Sequence, residues 1–137
     1  MNPPQTLPPY AHLLGCTIER TPDGVPELIL PFADDVIGRP GFLHGGAIAG
    51  LLEVAAIAML AHGLEEEGGG RIKPVTVTVD FMRGGRDHTT RAAARIVRLG
   101  RRIANVEAIA WQDDRDRPIA AARMTYRISR PEPVLSE

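Results

Sequence analysis

Cysteine is almost missing. Cys16 stands alone, so no disulfide can form within the chain, and the sequence suits a reducing compartment. A catalytic role for Cys16 would need an adjacent base, and the strand-like "CTIER" around it offers none. The opening "MNPPQTLPPY" lacks both the basic start and the apolar stretch of a secretory leader, so a cytoplasmic protein is expected. Excess charge is missing too: a formal net charge of −1 gives no general reason to expect nucleic acid or a membrane as partner. Internal repeats and interdomain linkers are lacking. At 137 residues the chain reads as one domain over 1–137, with irregular ends at about 1–9 and 131–137. Metal-ligand spacing is absent as well, since His12, His62 and His88 form no such pattern with His44.

What is present is unevenly spread. Residues 1–70 hold two arginines against nine carboxylates, about −7, whereas residues 71–137 hold fourteen basic residues against eight carboxylates, about +6. Folding can mix these halves into an even surface, or they can leave an anion-binding rim. Between Arg39 and Glu65 charge nearly vanishes: apart from two histidines, Glu53 is the one ionisable side chain. The apolar run over 45–61 is slightly short for a membrane span, carries that glutamate at its centre, and is rich in alanine and glycine. It reads as a buried core helix.

Two strand-like runs, "CTIERT" and "PELILPF", are separated by the turn "PDG". After the glycine-punctuated "GRPGFLHGG", the pattern predicts a helix over about 47–66, free of proline and closed by "GGG". The period then changes to alternation. "VTVTVDFM" puts Val75, Val77, Val79 and Phe81 on one face. "TTRAAARIV" and "RRIANVEAIAW" pair through "RLGR", and "IAAARMTYRI" follows the turn "DDRDRP" with Ala122, Met124, Tyr126 and Ile128 on one face. The order is two strands, a long helix and a four-strand meander, an α+β fold with one helix against an antiparallel sheet. The helix is apolar on nearly every side and must be wrapped, a demand that a curved sheet on one side and a second subunit on the other would satisfy.

Burying an unpaired carboxylate costs several kcal/mol, so Glu53 pairs with an arginine of the sheet, faces a wet gap, or has a task. The task would be that of a general base or a nucleophile in a dry pocket. Upstream, "HGG" stands where the helix begins. Two glycines let a ligand approach the backbone, and the first N–H groups of a helix lack partners and sit at the positive end of its dipole. That arrangement suits a developing oxyanion. Yet nine helical residues separate His44 from Glu53, a rise of roughly 13 Å. The two features can share one reaction only if Gly45 of one subunit meets Glu53 of another across a two-fold axis.

In these residues the sequence resembles the hotdog-fold acyl-CoA thioesterases of the PaaI-like (phenylacetate-degradation) type. The resemblance rests on "GFLHGGAIAGLLE", "VDFMRGG" and "GRR", and the order of elements fits from about residue 10 to 130. It implies one long central helix wrapped by a curved antiparallel sheet, in a homodimer or a dimer of dimers. The implied reaction is hydrolysis of an acyl- or aryl-CoA thioester to free acid and CoA, with no cofactor beyond the coenzyme A of the substrate. Glu53 would activate water or attack the thioester, the Gly45 N–H would polarise the carbonyl, and His44 would arrange the turn. The loops that hold the CoA nucleotide fall on 81–86 and 98–103. With Gly46, they give Phe81, Met82, Arg83, Arg86, Arg98, Gly100, Arg101 and Arg102 as substrate-binding residues, and arginine forks suit phosphates. Two positions depart from the family's pattern: Gly38 stands where Asn or Gln is frequent, and Pro74 where Ser or Thr is frequent. These departures keep open a non-catalytic acyl-CoA binding module. A hotdog enoyl-CoA hydratase is a weaker alternative, because no suitably spaced Asp–His pair follows a glycine turn.

Overall fold

The computed structural model describes residues 7–131, and its axis is α2 (Gly45–Leu64), a helix of twenty residues and about 30 Å. The last proline before it is Pro40, so nothing interrupts its backbone ladder. A 3₁₀ turn, Glu65–Glu67, follows. Gly68 and Gly69 then stop the helix with φ of 88° and 84°, a conformation that strains any side chain. Leu51, Leu52, Leu60 and Leu64 are fully buried, each contributing about 1.5–3 kcal/mol relative to exposure. By length and composition α2 could cross a membrane, but the sheet buries most of it, so it is the core helix of the fold.

Six antiparallel strands curve around α2: β1 (Thr17–Arg20), β2 (Pro26–Leu30), β3 (Arg71–Phe81), β4 (Thr90–Leu99), β5 (Ile103–Trp111) and β6 (Ala120–Ser129). Their order in the sheet is β1-β2-β4-β5-β6-β3. Strict alternation sends Ala104, Val106, Ala108 and Ala110 of β5 to the helix side, with Ala120, Ala122, Met124, Tyr126 and Ile128 of β6. Many of these are alanines, which lets the sheet close tightly around a helix.

The four-strand meander needs correction. β4, β5 and β6 are a meander, but β3 pairs with β6 rather than β4 and occupies the far edge of the sheet. The eight residues between β3 and β4 are too many for a tight hairpin; they cross the start of α2 instead, where Gly85 O accepts the Leu43 N–H at 2.9 Å. The alternation within β3 also slips. The register shifts between Pro74 and Thr76, leaving Val75 as the extra residue of a bulge. Val77, Val79 and Phe81 therefore share the helix side with their partners Met124, Ala122 and Ala120, and Val75 does not keep step with them.

At the N-terminal end, the described chain takes up a short helix from residue 9. α1 (Pro9–Leu14) begins there, with proline in its first turn and Gly15 closing it at φ 81°. Residues 1–6 of the expected irregular start and 132–137 of the irregular end lie outside the described residues.

Candidate active site

Three backbone contacts build the turn before α2. Gly38 N–H donates to Phe42 O at 2.9 Å, His44 N–H donates to Val36 O at 2.8 Å, and Ile37 bridges Leu43. Gly41, with φ 80°, makes the reversal possible. His44 is then the N-cap: its Nδ1 accepts the Gly46 N–H at 2.8 Å. That bond requires an unprotonated Nδ1. A Cβ on Gly46 would stand 2.9 Å from the same nitrogen, so glycine at 46 keeps the cap in place. The Gly45 N–H takes no hydrogen bond among the described residues, as expected of a first-turn donor. Next to it, the Phe81 ring lies 3.5 Å from where a Cβ on Gly45 would be. Phe81 thus packs against the start of the helix.

Glu53 is half-buried and, among the described residues, makes no ion pair or hydrogen bond. The partner-arginine explanation of this carboxylate therefore fails within one chain. Gly45, Ala49, Glu53, Ile57 and Ala61, spaced by four, are only partly covered and form one stripe along α2. Gly45 and Glu53 are about 12 Å apart along the axis, out of each other's reach. Alternation marks Tyr126 as a core residue of β6 but does not place it beside Glu53. Its ring is fully buried, and its hydroxyl is held well above its ordinary value, by desolvation first and by the negative charge of Glu53 second. Burial pushes the Cys16 thiol up as well, which leaves it inert.

The two departures from the family pattern acquire physical reasons. A Cβ on Gly38 would meet the His44 Cα at 3.0 Å, so glycine relieves a tight backbone crossing here. Pro74 sits at the β3 bulge on an edge strand, where a missing N–H is tolerated.

The arginines form two groups at opposite ends of α2. At its start, the Arg39 and Arg86 guanidinium groups both lie over the Phe42 ring, 4.0 and 4.5 Å from its centre. Gln112 fixes the backbone of Arg86, accepting its N–H at 3.0 Å and donating to its carbonyl at 2.9 Å. Met82 and Arg83 both donate backbone N–H groups to Ile119 O, at 2.8 and 3.1 Å. Arg39 escaped the sequence reading, although it stands within the same glycine-punctuated segment as the HGG turn.

At the other end, a cleft of about 930 Å³ is lined by Arg98, Gly100, Arg101, Arg102, Arg127 and Arg130, among others. Gly100 is required by the β4–β5 turn, since a Cβ would stand 2.9 Å from Ile103 O. Arg130 braces that turn: it donates to the Gly100 carbonyl at 3.0 Å and to Glu67 at 2.9 Å. Arg127 and Arg130 were also missed; they follow one another at a spacing of three near the end of β6, where alternation alone marks no site. The loops at 81–86 and 98–103 are not neighbours in one chain, being separated by most of the length of α2.

One long helix in the concave face of a six-stranded antiparallel sheet, with HGG at its start, defines a hotdog-fold thioester hydrolase. The chain belongs to the thioesterase superfamily, whose family model matches residues 40–119. It is similar to a Chromobacterium violaceum protein of known structure, with 34% identity over 90% of this chain and 85% of that one and a TM-score of 0.73. A fold likeness extends to the BH2602 protein of Bacillus halodurans, solved with CoA, at 22% identity, 90% and 80% coverage, and a TM-score of 0.75. It extends also to a phenylacetic acid degradation-related protein of Ralstonia eutropha, at 23% identity, 90% and 92% coverage, and a TM-score of 0.76. No match was found among curated protein sequences.

Proposed function

We propose that two copies of this chain, related by a two-fold axis, hydrolyse an acyl- or aryl-CoA thioester to the free acid and CoA. Glu53 of one copy would face Gly45 of the other. One observation carries this reading: an unpaired carboxylate and an unpaired backbone donor lie on one helix, about 12 Å apart. Neither can act on the other's reacting atom within one chain. β3 supports the pairing. It is an eleven-residue edge strand with Val75, Val77 and Phe81 exposed by 60%, 40% and 57%, beside the half-covered stripe of α2. The unpaired backbone groups of a long edge strand with exposed valines can receive a second strand. A two-fold axis across α2 sets the helices antiparallel, so the arginines at the start of one helix approach the β4–β5 turn of the other. The two basic groups would then share one nucleotide, and the CoA of the Bacillus halodurans structure is consistent with such a ligand.

In this arrangement the Gly45 N–H polarises the thioester carbonyl from the positive end of α2. The Glu53 carboxylate takes a proton from water as the oxygen bonds to the carbonyl carbon, and returns it to the departing thiolate as the C–S bond breaks. Direct attack by the carboxylate, followed by hydrolysis of the anhydride, uses the same geometry. A thiol-release assay over short, long and aryl acyl-CoAs tests the reading. Steady release of CoA matched by free acid is expected. Binding without turnover, or consumption of an enoyl-CoA with no thiol released, would contradict it.

A further inference from the structure

We propose that Tyr10, seated on α2 through Gly50, sets the size of the acyl group accepted beside Glu53; this rests on the thioesterase reading above. Gly50 lies in the interior of α2, where glycine is a poor choice for a helix. Its reason is Tyr10. A Cβ on Gly50 would stand 2.8 Å from Cε2 and 3.0 Å from Cζ of that ring, and closer still to its hydroxyl oxygen. The ring therefore rests directly on the helix backbone, nearer than any side chain at 50 would allow.

Core packing does not account for the contact. Tyr10 remains 45% exposed, its neighbour Leu13 is 76% exposed, and the Tyr10 hydroxyl takes no hydrogen bond among the described residues. Position 50 is three residues before Glu53, on the same face of the helix. Gly50 adjoins the half-covered stripe of Ala49 and Glu53 on α2, and Tyr10 flanks that stripe from the α1 side. Phe81 covers Gly45 on the β3 side. In the composite arrangement an acyl group reaching Glu53 is bounded by Tyr10 on one flank and, beside the facing Gly45, by the second copy's Phe81 on the other. Short or aryl acyl groups fit such a space, and a long straight chain must displace Tyr10.

Two series measured in parallel test this: thiol-release kcat/KM from acetyl- to palmitoyl-CoA with phenylacetyl-CoA, and calorimetric affinity for the matching non-hydrolysable S-alkyl-CoA thioethers. Tyr10→Ala should favour the longest over the shortest chains by at least about tenfold more than the wild type does, in both series. Tyr10→Phe should keep the wild-type profile, because ring bulk and not the hydroxyl sets the limit. Gly50→Ala should shift the profile in the same direction as Tyr10→Ala by pushing the ring away, while alanine supports the helix. An unchanged chain-length profile in Tyr10→Ala and Gly50→Ala overturns the inference, even if hydrolysis itself is found. Tyr10-dependent discrimination among thioethers without any thiol release would leave it standing and remove the hydrolytic reading instead.

Discussion

Glu53 can be a carboxylate on an apolar helix because one chain only half-covers it, and the stripe around it consists of Gly45, Ala49, Ile57 and Ala61 rather than of charged neighbours. Its isolation was legible in the sequence, and so was the HGG turn. Its surroundings were not, because contacts across the fold decide them: Gly38 against His44, Gly46 beneath the capping ring, Tyr126 within the field of the carboxylate. Glu53→Gln keeps the shape and removes the charge. Turnover should fall by at least about 10²-fold, the scale of a lost general base, with an unchanged circular dichroism spectrum; near-wild-type turnover would dismiss Glu53 from the chemistry. A second expectation concerns alkaline pH. The Tyr126 hydroxyl lies above its ordinary 10.0 and the Cys16 thiol above its ordinary 9.0, both chiefly through burial. The unfolded chain therefore releases these protons first, and in that window it binds fewer protons than the folded state. Stability from both groups is complete below about pH 9 and declines as pH rises further. In urea unfolding across this range, Tyr126→Phe and Cys16→Ala should each flatten the alkaline decline; identical slopes in all three proteins would refute the assignment.

Among the elements, α2 was the most legible, since twenty residues without proline and a triple-glycine stop admit few alternatives. The strands were legible individually but their neighbours were not. Alternation states which side chains share a face; it does not state that β3 leaves the meander for the far edge, nor that a bulge at Val75 changes its step. α1 carried its own signal, a proline at the start and a glycine at the end, obscured by the prolines before it. β3 also yields a test at this scale. Val77 is 40% exposed on the helix side of the edge strand, so Val77→Lys would place two like charges across a two-fold interface. Sedimentation should show a dimer or tetramer for the wild type and a folded monomer with little activity for the variant. A variant that assembles like the wild type would move the interface away from β3. The HGG turn supplies another test. Gly46→Ala drives a Cβ toward His44 Nδ1, and loss of the cap should cost about 0.5–2 kcal/mol of stability together with catalytic rate. Unchanged unfolding and turnover would mean that the cap is dispensable.

At the scale of the whole molecule, the unequal halves of the sequence resolve into two basic groups at the ends of α2, one with Arg39, Arg83 and Arg86 and the other with Arg98, Arg101, Arg102, Arg127 and Arg130. Sequence clustering showed Arg83 with Arg86 and Arg98 with Arg101 and Arg102, but neither Arg39, Arg127 and Arg130 nor the separation of the groups, which arises because the chain crosses the length of the helix between them. If they share a CoA nucleotide across a dimer, Arg101→Ala with Arg102→Ala removes charge-assisted contacts of roughly 1.5–3 kcal/mol each. KM for acyl-CoA should then rise at least tenfold, while a truncated thioester lacking the nucleotide is hardly affected; equal losses on both substrates would point to damage of the fold. The composite site itself is tested most directly by mixing inactive subunits. One carries Glu53→Gln and the other Gly45→Val, and subunit exchange is followed independently with labelled chains. Each heterodimer should regain one intact site, returning up to about half the activity of a wild-type dimer. Confirmed exchange with no return of thiol release would show that Glu53 and Gly45 do not meet across the interface.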